Sequence, residues 1–227
     1  MSIYPQADRV NVMLDGHTHV PAFLERPNVR VIRNEARTGS EQKFRCADEV
    51  EGYHVYADDD LIYPPNYVER IIEAIEFYER RAVVGVLGAV FRLPLTSYVK
   101  GRIPLTLPMP LADDAPVHVL GTGTMAHHTD TIRFRLCDYP ISNMADIWSG
   151  IKAKRSGVAM IAIARPAHWV KTLRVTGFTV SGTAQIKGVL TDAVMTRAVL
   201  AEPWEALPYP KTSPMPPDGW TYDWIDP

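Results

Sequence analysis

The stretch Tyr53–Pro65, with the sequence YHVYADDDLIYPP, most constrains what this chain can form. A short apolar strand, Tyr53 to Ala57, runs directly into three consecutive aspartates, Asp58–Asp60, and a Pro-Pro pair follows just before a helix. Carboxylates this close repel one another, and burial raises their pKa values unless a cation neutralises them. Oxygen ligands without a neighbouring cysteine suit a hard divalent ion, Mg²⁺ or Mn²⁺. An acidic turn with all three side chains in water fits the spacing equally well, so the pattern alone leaves both interpretations open.

Strand-like and helix-like segments alternate along the chain. Apolar or β-branched runs predict strands, and apolar residues at i, i+3, i+4 and i+7 predict helices. This order is typical of α/β proteins, so the predicted fold is a single three-layer α/β/α domain with a mainly parallel sheet. Residues 92–116, with five prolines and no clear period, are predicted to be an extended loop. The predicted strands are Arg9–Leu14, Val29–Ile32, Tyr53–Ala57, Ala82–Phe91, Val117–Leu120 and Val158–Ala164, and the predicted helices cover about 66–78, 142–156 and 184–201.

The bulk properties of the chain favour one soluble domain. A chain of 227 residues can bury one sizeable core. The net charge is −2 and both signs are mixed along the sequence, so the charge pattern does not suggest a basic surface for nucleic acid. Cys46 and Cys137 form no CxxC pair, the N-terminus lacks a signal-peptide pattern, and the longest apolar run is ten residues, too short for a membrane span. These features predict a cytoplasmic protein.

Two further segments are predicted to share an edge with the aspartates. Ligands of open α/β sheets bind outside the carboxyl ends of strands, and Gly121–Thr124 follows such a strand. Its small residues allow close approach to the backbone, although this sequence alone is more often a tight turn. Asp146 lies in the first turn of a predicted helix, where it can close a capping box with Asn143 or act as a general base at the edge of a cleft. The sequence does not decide between these two roles.

Histidines offer a different kind of site. The segment Asp15–His19, DGHTH, resembles the first metal-ligand segment of amidohydrolases, in which two histidines bind a catalytic metal. That fold is a barrel of roughly 250 residues or more, and the chain lacks evenly spaced further ligands. A polar loop is therefore the simpler interpretation, and a metal-dependent hydrolase that uses His17 and His19 is the alternative function.

Three more histidines follow predicted strands and are candidates for a third metal ligand or for diphosphate contacts. His127 and His128 are adjacent and point in different directions if extended, so at most one of them faces the site. His168 follows the strand Val158–Ala164. Taken singly, each is more often a hydrogen-bonded structural or surface histidine.

The run EGYHVYADDDLIYPPNYVERI resembles the metal-binding segment of nucleotide-sugar-dependent glycosyltransferases with the A-type fold, similar to family 2. The later segments VHVLGTGTMAHHT, ISNMADIWSGIKAKRSG and ARPAHWV resemble the acceptor half of bacterial members linked to surface polysaccharide assembly. The similarity covers about residues 7–170. It implies a catalytic domain over 1–170, with the donor side at about 1–91 and the acceptor side at about 117–170. Residues 171–227 would then be a C-terminal helix and a Pro/Trp-rich tail that is packed on the domain or flexible.

The resemblance implies a role for each candidate residue in an inverting, metal-dependent transfer of a sugar from a UDP- or GDP-sugar to a glycan or other hydroxyl acceptor. Mn²⁺ or Mg²⁺ would bind at Asp58 and Asp60, with His168 as a candidate third ligand. Asp146 would be the catalytic base. The other implied contacts are with the donor at Asp15, Lys43, Asp59 and His128, and with the acceptor at Gly121, Thr122, Gly123, Thr124 and Trp148.

The chain departs from this family at its N-terminus. The family begins with a strand and helix that supply part of the nucleotide pocket, ahead of the strand assigned here to Arg9–Leu14. We therefore expect an N-terminally shortened domain whose donor pocket is open or is completed by a partner or a second copy. A non-catalytic subunit related to these glycosyltransferases is the further alternative.

Overall fold

Two β-sheets meet along one continuous stretch of chain in the computed structural model, which describes residues 2–34, 38–173 and 192–208. The apolar run predicted as a single strand is in fact two strands, β5 (Ala82–Gly85) and β6 (Gly88–Phe91), and each belongs to a different sheet. Between them the N–H groups of Val86 and Leu87 donate to Thr124 Oγ1 at 3.2 and 2.9 Å. This side-chain acceptor replaces the ladder partners that a continuous strand would have had.

The strands within the described residues form two larger sheets and two separate pairs. The larger sheets have the orders β3-β10-β5-β11-β8 and β7-β6-β9, and the pairs are β1-β2 and β4-β12. Besides β5 and β6, the strands are β1 (Val10–Asp15), β2 (Val29–Asn34), β3 (Tyr53–Val55), β4 (Leu61–Ile62), β7 (Arg102–Leu105), β8 (Ala115–Val117), β9 (Val119–Leu120), β10 (Ala126–His128), β11 (Ala159–Ala162) and β12 (Lys171–Thr172).

The predicted fold class is wrong, because antiparallel pairing dominates these sheets. In the described residues only β1–β2 and β5–β11 pair in parallel, whereas β3–β10, β5–β10, β8–β11, β4–β12, β6–β7 and β6–β9 are antiparallel. Much of the difference between the predicted and the observed sheets comes from residues 92–116. They were predicted to be a loop, but they contribute β7 and part of β8. The central neighbour β10 arises from 126–128, which sequence patterns did not mark as a strand. A mixed and antiparallel architecture therefore replaces the mainly parallel three-layer domain.

Three α-helices are described: α1 (Tyr67–Phe77), α2 (Ala145–Arg155) and α3 (Asp192–Leu200). The apolar stripe predicted for α1 is confirmed, since Ile71 and Ile75 are fully buried. Burying each such side chain contributes about 1.5–3 kcal/mol. The first eight residues of the third predicted helix, 184–191, lie outside the described residues.

The described part of the C-terminal segment packs on the domain. Trp204 Nε1 donates to Val199 O at 2.7 Å, and its ring stands edge-on to Phe91 with centroids 5.0 Å apart. The rest of the predicted Pro/Trp-rich tail, residues 209–227, lies outside the described residues. Among the residues that are described, no helix has the length and apolar character to cross a membrane.

Candidate functional site

The aspartate run lies in a short loop between β3 and β4, and Tyr63 fixes the position of this loop. Tyr63 is buried and its hydroxyl accepts from Asp58 N at 2.8 Å while donating to Gly123 O at 2.6 Å. Burial is the main cause that raises the pKa of Tyr63 above its usual value, so the phenol stays protonated and able to donate. One buried phenol thus joins the acidic loop to the loop 121–124.

Gly123 gives the Asp58 carboxylate room to lie against the backbone. A Cβ atom at position 123 would lie 2.6 Å from Asp58 Cγ and closer still to its Oδ2, well inside the distance at which real Cβ atoms make contacts. The prediction that the glycine-threonine loop and the aspartates share an edge is therefore consistent with this contact. The glycine serves as a cradle for a carboxylate.

Lys43 supplies the positive charge nearest to the acidic loop. Its ammonium forms an ion pair with Asp58 Oδ1, and its side chain is only 16% exposed, against 41% for Asp58. The neighbouring Phe44 holds this segment in place, because its ring is fully buried between Tyr56 and Tyr139 at centroid distances of 4.5 and 4.3 Å. Lys43 belongs to a short 3₁₀ helix, Ser40–Phe44, which aromatic packing fixes against the site.

Asp146 contacts the same loop at the neighbouring residue, Thr122. Its Oδ1 accepts from Thr122 N at 2.8 Å and from Thr122 Oγ1 at 2.9 Å. The capping box that the sequence allowed between Asn143 and Asp146 does not form, because the N-cap residue of α2 is Met144 and no side chain caps the helix. Burial raises the pKa of Asp146, and the Thr122 hydrogen bonds and Lys43 offset this only in part. A carboxylate in these surroundings gains basicity, which suits proton abstraction.

Asp60 adds further negative charge to this edge. Burial raises its pKa, and so do Asp58 and Asp59, while Lys43 acts in the opposite direction. Asp59 is exposed. The Lys43 ammonium therefore contacts an edge with several carboxylates, whose mutual repulsion a further cation would reduce.

A buried carboxylate that sequence reasoning missed joins the Lys43 segment to α2. Glu41 is 4% exposed and its Oε2 accepts from Asn143 N at 3.0 Å, while Asn143 Oδ1 accepts from Ser40 N at 3.2 Å. Asn143 has a φ of 62°, a left-handed conformation that asparagine tolerates better than most residues. Glu41 sits in a polar segment with no periodic pattern, so no signal in the sequence singles it out.

Two residues of the loop 121–124 serve the fold and not the site. Thr124 is fully buried, and its hydroxyl anchors the turn between β5 and β6 described above. A Cβ at Gly121 would lie 2.7 Å from Leu87 Cβ, so this glycine permits close packing against the same turn. The two residues between them, Thr122 and Gly123, contact the carboxylates.

The structure does not bring His128, His168 or Trp148 to this edge. His128 pairs with Tyr53 at the start of β3, whereas the aspartates follow the end of that strand. His168 is exposed in the turn before β12 and forms no ligand group with Asp58 and Asp60. Trp148 is two positions from Asp146, which places it on the opposite side of α2, where it lines a small cavity with Lys152.

Asp15 closes a loop in this structure. Its Oδ2 accepts from Thr38 N at 2.8 Å and from Gly39 N at 3.0 Å, and its Oδ1 accepts from Thr38 Oγ1 at 2.9 Å. A carboxylate with these partners is not free to bind a nucleotide base unless the loop opens. Asp15 lies at the end of β1, as expected, but its carboxylate binds Thr38 and Gly39 of the protein itself.

The amidohydrolase-like segment forms an exposed loop. His17 and His19 are both exposed, and His19 Nδ1 lies 2.9 Å from Thr18 Oγ1. Within the part of the chain that the structure describes, no group of three or more His, Cys, Asp or Glu side chains is placed to hold a metal ion. No observation therefore favours the hydrolase alternative.

The acidic edge nevertheless fits a divalent ion that is held partly by substrate. Mg²⁺ and Mn²⁺ commonly bind proteins through one or two carboxylates, with water and substrate phosphates as the remaining ligands. Asp58 and Asp60 would supply the carboxylates, Gly123 admits the Asp58 carboxylate against the backbone, and the Lys43 ammonium is a cation already in contact with Asp58. Carboxylate oxygens are the kind of ligand that hard metal ions prefer.

No protein-family model matches this chain, and no curated protein matches it. Among solved structures, the chain is similar to the crystal structure of A197 from STIV, at 12% identity over 76% of this chain and 97% of that one, with a TM-score of 0.38. A likeness of that strength carries no argument about fold or function.

Proposed function

We propose that this protein is a metal-dependent glycosyltransferase that moves a sugar from a nucleotide-diphosphate sugar to an acceptor hydroxyl. One observation carries the proposal: the carboxylates of Asp58 and Asp146 are held against adjacent residues of one loop, Gly123 and Thr122. A carboxylate that can bind a cation and a carboxylate of raised basicity therefore lie at one edge of the molecule. Metal-assisted transfer from a diphosphate donor can use both groups.

Asp146 has the role of general base in this proposal. It takes the proton of the acceptor hydroxyl as that oxygen forms a bond to the anomeric carbon. The bond from the anomeric carbon to the diphosphate oxygen breaks, and its electron pair leaves with the nucleoside diphosphate. Thr122 holds the carboxylate by Oδ1. Asp146 Oδ2 accepts no hydrogen bond from the described residues, so it is the oxygen that can receive the proton.

The donor diphosphate belongs beside Asp58 and Asp60. A bound Mg²⁺ or Mn²⁺ would neutralise the charge that develops on the leaving diphosphate. The protein itself contributes Lys43, whose ammonium can contact phosphate oxygens as a point charge.

The sequence resemblance supports the same assignment. The segments that resemble glycosyltransferases contain Asp58–Asp60, Gly121–Thr124 and Asp146, and of these Asp58, Thr122, Gly123 and Asp146 contact one another in the site. The proposal rests on this site alone, because the fold differs from the one that the resemblance implied. The resemblance further suggests a role in glycan biosynthesis, with UDP- or GDP-sugars as donors.

Calorimetric titration with UDP- and GDP-sugars in the presence of Mn²⁺ tests the proposal. We expect saturable binding by the wild-type protein and a loss of at least about tenfold in affinity for Asp60→Asn, since a metal–carboxylate bond is lost. Asp113→Asn, at an exposed aspartate away from the site, is the matched control. Absence of binding, or equal binding by Asp60→Asn, would contradict the proposal. Binding without transfer to any acceptor would instead support the non-catalytic alternative.

A further inference from the structure

The ion pair between Lys43 and Asp58 places an ammonium where a metal ion would have to bind. Asp58 Oδ2 lies against Gly123 and Oδ1 contacts Lys43 Nζ, so both oxygens of this carboxylate have near neighbours. A metal ion that used Asp58 would compete directly with the ammonium for Oδ1. The two cations cannot share that oxygen without strong repulsion.

We propose that Lys43 is an internal counter-ion that occupies Asp58 when the metal is absent and moves to the donor diphosphate when the metal binds. This inference rests on the proposed function and adds to it a coupling between metal and donor. The lysine and the metal ion cannot both bind Asp58. When the metal ion binds, the displaced ammonium pairs with the diphosphate instead. Donor and metal are therefore expected to bind cooperatively.

The surroundings of Lys43 favour such a transfer. Its side chain is 84% covered, so the ammonium is poorly hydrated if it has no partner. Phe44 fixes the backbone of this segment, while the four-carbon stem of lysine has several rotamers through which the ammonium can change partner. A lysine displaced from Asp58 thus needs another anion within reach of its stem, and a diphosphate bound at the same edge would provide one.

The coupling has a measurable consequence for metal binding in the absence of donor. In the wild-type protein, Mn²⁺ must displace Lys43 without any compensating phosphate. In Lys43→Gln the competing charge is gone, although the amide can still donate a hydrogen bond to Asp58. Removing a unit charge at contact distance should tighten Mn²⁺ binding about tenfold. Reciprocity requires the metal to aid diphosphate binding in the wild-type protein by the same factor as diphosphate aids metal binding.

The first experiment titrates purified protein with Mn²⁺ alone and measures free Mn²⁺ by electron paramagnetic resonance. We expect weak, saturable binding by the wild-type protein, binding about tenfold tighter by Lys43→Gln, and wild-type affinity for Lys43→Arg, which keeps the charge. Lys152→Gln is the matched control, because Lys152 also forms an ion pair, with Asp138 at 2.9 Å, on another face of the molecule. This variant should bind Mn²⁺ like the wild-type protein.

The second experiment measures binding of inorganic pyrophosphate without metal, by calorimetry in the presence of a chelator. Asp58→Asn frees the Lys43 ammonium and should bind pyrophosphate at least about tenfold more tightly than the wild-type protein. The double variant Asp58→Asn with Lys43→Gln should lose that gain, which separates the contribution of Lys43 from the mere removal of a negative charge. Circular dichroism spectra would confirm that each variant is folded.

The outcomes separate this inference from the function it rests on. Saturable Mn²⁺ binding by the wild-type protein with equal or weaker binding by Lys43→Gln would overturn the counter-ion role and leave the proposed function intact. Equal pyrophosphate affinity in Asp58→Asn and in the double variant would likewise overturn it. Absence of Mn²⁺ binding by every variant in the absence of donor would overturn this inference, and its absence in the presence of UDP- and GDP-sugars as well would overturn the metal site, and with it both proposals.

Discussion

At the scale of single residues, the site depends on two adjacent peptide units that hold two different carboxylates. Thr122 offers donors and so fixes Asp146, whereas Gly123 offers only space and so admits Asp58. Glycine is required at the second position because any side chain would overlap the Asp58 carboxylate. The backbone of residues 122 and 123 therefore sets the distance between the carboxylates of Asp58 and Asp146.

Two glycine substitutions should separate binding from stability. In Gly123→Ala the new methyl group displaces Asp58, so Mn²⁺ affinity should fall at least about tenfold. In Gly121→Ala the methyl group meets Leu87 Cβ at 2.7 Å, which should lower the melting temperature by several degrees and leave the metal affinity of the folded protein unchanged. Thermal unfolding and Mn²⁺ titration of both variants test this. An equal loss of metal affinity in the two variants would contradict the cradle role of Gly123.

Asp146→Asn should remove activity without loss of stability. The amide oxygen can accept the same two hydrogen bonds from Thr122, but the amide cannot take a proton from the acceptor. Loss of a general base costs about 10²–10⁴-fold in kcat. Because burial raises the pKa of Asp146, its charged form is disfavoured in the folded state, and the neutral amide should leave the melting temperature unchanged or higher.

The same raised pKa sets the pH dependence of transfer. Asp146 must be deprotonated to act as a base, so kcat/KM of the wild-type protein should fall as the pH drops toward the raised pKa of this carboxyl group. A rate profile between pH 4 and 8, measured against a substrate whose charge is constant over that range, tests this. A profile that stays flat at the acid end would argue against Asp146 as the base.

At the scale of elements, the site is assembled by segments that pack on one another through polar links. The 3₁₀ helix Ser40–Phe44 and the start of α2 exchange two hydrogen bonds, from Ser40 N to Asn143 and from Asn143 N to Glu41. These links hold the segment that carries Lys43 close to the helix that carries Asp146. The relative position of the two charged side chains thus depends on Ser40, Glu41 and Asn143, which lie outside the acidic loop.

Substitutions at Asn143 should report on this link. The left-handed φ of 62° disfavours alanine, so Asn143→Ala loses both the backbone fit and the acceptor for Ser40 N and should be destabilised by about 2–3 kcal/mol. Asn143→Gly keeps the backbone fit and loses only the acceptor, at a cost of about 1 kcal/mol. Urea unfolding of the two variants measures the difference. Equal stabilities would show that the backbone conformation at this position is of no consequence.

The sequence allowed the isolated elements to be predicted but not their pairing. Helix α1 follows from a regular apolar stripe, and β1 and β2 follow from β-branched runs. A fully apolar run such as Ala82–Phe91 does not reveal whether its neighbours are parallel, nor that it breaks at Val86, because the acceptor that breaks it, Thr124, is distant in sequence. The antiparallel strands β7, β8 and β10 lie in segments whose prolines or histidines hide any strand pattern in the sequence.

The site was predicted in part, for similar reasons. The meeting of Asp58, Gly123 and Asp146 at one edge was expected from the order of strand ends and from the resemblance. His128 was misplaced because its strand runs antiparallel to β3, which puts it at the far end of the sheet. Tyr63 was visible in the acidic stretch, but no pattern in the sequence indicates that its hydroxyl joins two loops.

At the scale of the whole molecule, buried histidine side chains connect stability to pH. His127 is 1% exposed beside Tyr56 and Phe134, and burial is the main cause that lowers its pKa to about 3. In the unfolded chain its pKa is about 6.5. The stabilising effect of the neutral ring is complete above the unfolded value and is lost as the pH falls from there toward the folded value.

The free energy of unfolding should therefore decrease below about pH 6.5, with a slope from His127 of up to about 1.4 kcal/mol per pH unit. His127→Gln should flatten this slope, whereas His19→Gln, at an exposed histidine, should leave it unchanged. His54 and His118, whose pKa values are also lowered by burial, will leave a residual slope of the same sign. Urea unfolding at several pH values between 4.5 and 7.5 tests this, and parallel curves for all three proteins would contradict it.

The contacts that build the site join residues far apart in the chain. The hydrogen bonds between Thr122 and Asp146, between Tyr63 and Gly123, and between Ser40 and Asn143 span 24, 60 and 103 residues. Closing such long loops is entropically costly and slows folding. On refolding, secondary structure should therefore return before Mn²⁺ binding does. A ligand-binding signal in a stopped-flow experiment would then mark the end of the folding reaction.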